Sequence, residues 1–144
     1  MIKLELSETI KEIHKEYFKE KINFKQKIRI KKEDLNKLNQ KLNHDYTQKE
    51  IIKIHLKFLE YCKLNADKIS VGEITDLKMI IKEINKKFSI IKIMIEDGIV
   101  CKIKDGKYKK YSDVLYDIFG YNNFSNITIA NIDSTSNFDR KSVV

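Results

Sequence analysis

Residues 70–111 read SVGEITDLKMIIKEINKKFSIIKIMIEDGIVCKIKDGKYKKY, and this stretch decides the fold. Ile74, Leu77, Ile81, Ile84 and Phe88 recur at steps of three and four, the spacing of one face of an α-helix. Ser70 and Glu73 have the spacing of a capping box, in which the hydroxyl accepts an early backbone N–H and the carboxylate reaches back. Lys78, Lys82, Lys86 and Lys87 fall on or near the opposite face. At Ile91 the period changes to two: Ile91, Ile93 and Ile95 alternate with Lys92 and Met94, which predicts a strand. Asp97-Gly98 and Asp105-Gly106 are hairpin-turn dipeptides, because both residue types tolerate positive φ. Val100 to Lys104 and Lys107 to Tyr111 then become the second and third strands. The expectation is a long amphipathic helix running into an antiparallel β-meander.

Upstream, Ile2, Leu4 and Leu6 alternate with polar residues and suggest a short opening strand. Ser7 is placed to cap a helix through Ile10, Ile13, Tyr17 and Phe18, with His14 beside its wet face. Phe24 to Lys32 is the most basic run: Lys25, Lys27, Arg29 and Lys31 alternate with Phe24, Gln26, Ile28 and Ile30. In a strand the cations project from one face while Ile28 and Ile30 anchor the other. The structural alternative is an edge strand that uses lysine to block aggregation. Glu33 to Asn43 reads as a helix on Leu35, Leu38 and Leu42, followed by a turn at Asn43-His44-Asp45. Thr47 and Glu50 form a second capping box, opening a helix with Ile51, Ile54, Phe58, Leu59 and Cys62. Ile52 and Leu56 broaden that stripe, so the helix is expected to be central and His55 to be a hydrogen-bonded core histidine. Asn65-Ala66-Asp67 breaks the pattern.

Downstream, Ser112 is placed to cap a short helix through Val114, Leu115, Ile118 and Phe119, stopped by Gly120. Phe124 is expected to fold back onto the domain. The composition then turns to Asn, Ser, Thr and Asp, with Ile127, Ile129 and Ile132 as one late strand. Residues 1–124 are thus expected to form a single basic α+β domain and 125–144 a polar extension or linker.

The chain has 144 residues, 42% hydrophobic composition and a formal net charge of +8, enough for one real core with a basic surface. The basic residues concentrate before residue 111; the segment after it is slightly acidic. Such a surface favours polyanions, chiefly nucleic acid or an acidic protein face, although lysine also decorates ordinary solvated faces. The absence of proline and the abundance of Ile, Lys and Asn fit a low-GC bacterial or phage genome. Cys62 and Cys101 belong to no Cys-x-x-Cys pair, and the three histidines are scattered, so no zinc site and no cofactor are expected. No signal peptide and no long apolar run is evident, which points to a cytoplasmic protein without a membrane partner.

No Walker loop, GxGxxG, GxSxG or HExxH occurs. Asp97 with Asp105-Gly106-Lys107 has the residue types of an Asp…Asp-x-Lys metal-dependent nuclease, but both aspartates belong to Asp-Gly turns whose chemistry explains them. No catalytic or metal-binding residue is therefore assigned. Lys102, Lys104, Lys107, Lys109 and Lys110, with Tyr108 and Tyr111 among them, form a basic strip with interleaved aromatics, the composition of a nucleic-acid surface. Helices followed by a basic hairpin resemble the winged helix-turn-helix plan. The helix before the hairpin carries no Arg or Gln to read bases, so backbone binding without sequence preference is expected.

Lys110-Tyr111-Ser112-Asp113, continuing through Phe119-Gly120-Tyr121-Asn122-Asn123-Phe124-Ser125, resembles a segment of some bacterial HNH-family nucleases, including those of anti-phage defence. In that family a helical N-terminal region ends in a similar element shortly before a Cys-x-x-Cys-bearing HNH domain. The 144 residues hold neither that Cys-x-x-Cys nor a His-Asn-His set. The resemblance therefore implies a substrate-engaging or partner-binding part, or a relative without the nuclease, and carries over no catalytic residue.

Together these readings predict a mostly helical α+β domain with a small antiparallel β-meander. Its expected function is non-enzymatic, sequence-independent nucleic-acid binding in a phage-defence or phage-encoded setting. The residues expected to meet the DNA or RNA backbone are Lys25, Lys27, Arg29, Lys31, Lys102, Lys104, Lys107, Tyr108, Lys109 and Lys110. The alternative is a protein-binding inhibitor or adaptor that uses its basic face to block an acidic or nucleic-acid-binding partner. Both leave a homodimer open.

Overall fold

The computed structural model describes residues 12, 13, 16, 25–71, 74–104 and 106–120. Among them are six helices: α1 (Lys32–Leu42), α2 (Gln48–Leu64), α3 (Ala66–Val71), α4 (Ile74–Lys87), α5 (Ser89–Glu96) and α6 (Tyr111–Phe119). Three short strands, β1 (Arg29–Ile30), β2 (Val100–Lys102) and β3 (Lys109–Lys110), form one antiparallel sheet in the order β1-β2-β3. The expected opening strand, most of the first helix, the late strand and the polar extension lie outside the described residues.

The ends of α1 and α2 follow from their sequences. Lys31 ends the basic run and its carbonyl accepts from Leu35 N–H, so α1 starts directly from the strand. At the far end Asn43 adopts φ 50°, ψ 52°, and the His44 N–H reaches the Asn39 carbonyl, a left-handed cap that asparagine tolerates. The expected capping box at α2 is present: Glu50 N–H donates to Thr47 Oγ1, and Thr47 N–H donates to Glu50 Oε1. Ile51, His55, Phe58, Leu59 and Cys62 of α2 are buried, in keeping with a central helix.

The stretch from Ser70 to Ile95 differs from its sequence reading in two ways. Ser70 lies within α3, and the next helix begins at Ile74; Gly72 and Glu73, the latter half of the expected capping box, lie outside the described residues. More consequentially, Ile91 to Ile95 is helix α5, not a strand. Phe88, at φ −130°, ψ 46°, interrupts the helical backbone and turns the chain, after which α5 packs against α4 and buries Ile90, Ile91 and Met94. That burial set has helical spacing, and it competes with the alternation of Ile91, Ile93 and Ile95. A short apolar run supports both periods, and packing against α2, α4 and α6 selects the helix.

The two Asp-Gly pairs accordingly serve different ends. Gly98, at φ 63°, closes α5: Ile99 N–H donates to the Met94 carbonyl and Gly98 N–H to the Ile95 carbonyl, the paired bonds of a Schellman cap. Gly106 of the second pair is in the hairpin turn between β2 and β3, where its N–H donates to the Ile103 carbonyl. A Cβ at Gly106 would lie 2.9 Å from that carbonyl oxygen, so the turn is tight enough to require glycine. The sheet is therefore completed by β1 and not by residues 91–95.

One sheet face packs inward. Ile28, Ile30 and Cys101 are buried beneath it, with α2 and α6 behind. Tyr111, Val114, Leu115, Ile118 and Phe119 line the inner face of α6. Phe58 meets the Phe119 and Phe88 rings edge to face, at centroid distances of 6.1 and 5.8 Å. Gly120, at φ 79°, stops α6 as expected, whereas the residue capping its start is Lys110 and Ser112 is inside the helix. The result is a mostly helical α+β domain with a small antiparallel sheet. Among the described residues no helix is long and apolar enough to cross a membrane.

Candidate nucleic-acid interface

The register of the sheet joins the two basic runs. Arg29 pairs with Lys102 and Ile30 with Cys101; on the other side of β2, Val100 pairs with Lys110 and Cys101 with Lys109. Directly paired residues of an antiparallel sheet share a face. Since Ile30 and Cys101 are buried, Arg29, Lys102 and Lys110 belong to the outer face. Lys27 and Lys31 flank the buried Ile28 and Ile30 on the same alternation and are exposed. Carrying the β2–β3 register one step further sets Tyr108 opposite Lys102, and Lys102 Nζ lies 5.0 Å from the Tyr108 ring centroid.

The expected residues divide by position. Lys27, Arg29, Lys31, Lys102, Tyr108 and Lys110 share the outer face. Lys25 precedes the strand, in a turn. Lys25, Lys27, Arg29 and Lys104 line a shallow groove of ≈ 560 Å³ beside the β1–β2 edge. Lys104, at φ 46°, and Lys107 belong to the hairpin loop. Lys109 departs from the expected strip: its register partner is Cys101, which directs it toward α6, and its ammonium pairs with Asp117 of that helix. Lys31 pairs with Glu33 at 3.4 Å. Among the described residues, Lys27, Arg29, Lys102, Lys104, Lys107 and Lys110 enter no ion pair.

The basic run owes its position to polar groups that its own sequence does not reveal. Gln48, the first residue of α2, accepts from Ile30 N–H through Oε1 at 3.0 Å and donates through Nε2 to the Ile30 carbonyl at 2.6 Å. Its amide thus substitutes for a neighbouring strand on the outer edge of β1. Asp34 Oδ2 accepts from Val100 N–H at 2.7 Å, where the Lys31 carbonyl is already committed to α1. Behind the run His55, fully buried, places Nε2 3.0 Å from the Gln26 carbonyl and Nδ1 2.8 Å from the Tyr111 hydroxyl. A carbonyl only accepts, so Nε2 carries the proton and the Tyr111 hydroxyl donates to Nδ1. Burial, opposed in part by the bond to Gln26, lowers the His55 pKa to about 4, so the ring is neutral at physiological pH. His55 is therefore the satisfied core histidine its position in the α2 stripe suggested. Gln48 and Asp34 leave no signal in periodicity, because each acts on backbone far away in sequence.

Other chemistries find little support in these residues. Asp97, one carboxylate of the nuclease-like pattern, is bound by Lys41 Nζ at 2.9 and 3.0 Å; Asp105 lies outside the described residues. Among the described residues, no group of three or more His, Cys, Asp or Glu is placed to hold a metal ion. Cys62 and Cys101 are free and buried, and burial pushes both thiols up, Cys101 to about 12, so neither has the thiolate character of a nucleophile. The helix preceding the hairpin is α5, whose sole cation is Lys92, so the winged plan has no recognition helix there. Of the segment resembling HNH nucleases, Lys110 to Gly120 forms the end of β3, α6 and its stop, while Tyr121 to Ser125 lies outside the described residues. The chain matches no protein-family model, no curated protein and no solved structure.

Proposed function

We propose that this chain is a sequence-independent nucleic-acid-binding module that engages backbone phosphates with the outer face of its sheet. The observation that carries the reading is the pairing of Arg29 with Lys102. It sets side by side two basic runs about seventy residues apart in sequence, with no ion pair to neutralise either cation among the described residues. Like charges directly opposite in a sheet disfavour the fold, and a polyanion across them turns that repulsion into attraction. Lys27 and Lys110 extend the field along β1 and across to β3. Among the described residues the outer face of the strands carries no Asn, Gln, Asp or Glu, and its cations are mostly lysines, so affinity is expected to come from phosphate contacts and to be insensitive to sequence.

The test is fluorescence anisotropy with labelled oligonucleotides of unrelated sequence across a salt series. Contacts to about four phosphates give a log–log slope of about −3 on single strands. Arg29→Glu and Lys102→Glu should each abolish most of the binding, and Lys53→Glu on the exposed side of α2 should spare it. Absence of binding at low salt, or equal loss in Lys53→Glu, would refute the reading. The first result would direct attention to an acidic protein surface as the ligand of the same face.

A further inference from the structure

We infer that the nucleic acid taken by this face is single-stranded, with one unpaired base stacked on Tyr108. The inference rests on the function proposed above and adds the class of strand. Tyr108 is 46% exposed on a hairpin whose outer face otherwise carries Lys102, Lys110 and the half-buried Val100. A tyrosine with no structural need for exposure would gain by burial; this one is kept at the surface by its register. Arg29 of β1, Lys102 of β2 and Tyr108, the residue just before β3, form one row, with the Lys102 ammonium 5.0 Å from the ring centroid. That ammonium steadies the ring and holds positive charge beside it.

The row has the two parts that unpaired nucleic acid requires. A flat π-face accepts any base by stacking, and cations at the neighbouring strand spacing of about 4.8 Å follow a flexible backbone. A duplex cannot use the first part, because its bases already stack on one another. The tight turn at Gly106, with its N–H bonded to Ile103, returns the chain so that Tyr108 falls beside Lys102 and not out along the loop. Stacking is indifferent to base identity, consistent with binding without sequence preference.

The experiment compares labelled single-stranded DNA, single-stranded RNA and duplex DNA of equal length, against the unmodified chain, Tyr108→Phe, Tyr108→Leu and Arg29→Glu. Tyr108→Leu should weaken both single strands about tenfold and leave the weaker duplex binding unchanged, while Tyr108→Phe retains most of the affinity. Arg29→Glu should weaken all three. Circular dichroism of the Tyr108 variants confirms that the exposed substitution leaves the fold in place. If Tyr108→Leu binds single strands as well as the unmodified chain, or loses duplex and single strand equally, the stacking inference is overturned while the phosphate-binding reading stands. If no oligonucleotide binds the unmodified chain, both are overturned.

Discussion

Gln48 of α2 brackets Ile30 of β1 with both ends of its side-chain amide, one accepting from the Ile30 N–H and the other donating to its carbonyl. The contact closes the outer edge of β1 between Arg29 and Lys31, so the two cations are presented on a strand whose free edge is already satisfied. Gln48→Ala should cost about 1–2 kcal/mol by leaving two partly buried backbone groups without their partner. Gln48→Glu should cost more, because a carboxylate keeps the acceptor for Ile30 N–H but faces the Ile30 carbonyl with a second acceptor. Urea unfolding of both variants gives the order. Glutamate and alanine swapping places would show that the donor half of the bracket contributes nothing.

His55 makes stability depend on pH in a defined window. Its pKa is lowered from 6.5 to about 4 in the fold, so between these values the unfolded chain binds the extra proton. Stability from the neutral ring is therefore complete above about pH 6.5 and is lost as pH falls toward 4. The loss is about 3 kcal/mol. Carboxylates titrate in the lower part of the same range, so the comparison is with His55→Gln, which removes the imidazole. Urea midpoints between pH 7.5 and 4.5 should fall more steeply for the unmodified chain. Parallel curves would contradict the assignment.

Tyr111 is the other half of that buried pair, and its hydroxyl is the donor to His55 Nδ1. Tyr111→Phe preserves the ring packing and strands an acceptor inside the core. The expected cost is about 1–3 kcal/mol, against a near-neutral effect of Tyr61→Phe, whose half-buried ring keeps its contact with Phe88. Thermal unfolding of the two variants separates them, and equal shifts would mean that the buried hydroxyl is not the anchor.

The parts of this arrangement that sequence reveals are local, and the parts it hides are not. Thr47 with Glu50, the Leu35, Leu38 and Leu42 stripe, and Gly120 after Phe119 are local signals, and the structure uses them locally. The basic runs are visible as runs. Their union is not, since the β1–β2 pairing joins residues 29 and 102 with five helices between. The strand expected at Ile91 to Ile95 fails because apolar residues at nearly every position satisfy both periods. Gly98 does not break the tie, since a helix end and a hairpin each need positive φ. Composition alone includes Lys109 in the outer strip, whereas strand parity sends it to Asp117.

Cys62 and Cys101 offer a check on the core that binding experiments do not touch. Both thiols are buried, and burial holds them above the ordinary cysteine range. A thiol reagent at pH 8 should therefore label neither in the native protein on the timescale of minutes, and both should react once urea unfolds the chain. Rapid labelling of Cys101 alone would mean that the sheet opens away from α6 in solution, and would place the dynamics of the domain at the basic sheet itself.

Arg29 and Lys102 make a prediction about stability that tests their cross-strand pairing independently of any ligand. Opposed like charges on an exposed pair cost the fold a fraction of a kcal/mol, so Arg29→Glu should stabilise the free protein by about 0.2–1 kcal/mol while weakening the proposed nucleic-acid binding. Lys102→Glu should do the same at its own position, less what it loses over the Tyr108 ring. The double reversal should restore repulsion, now between two glutamates, and return stability toward the starting value without returning affinity. Absence of both the gain and its cancellation would mean that the two side chains do not face each other across the strands. Thermal midpoints at low salt provide the measurement, and molar salt should shrink the charge-dependent differences together, because the screening length falls from about 10 Å at 0.1 M to about 3 Å at 1 M.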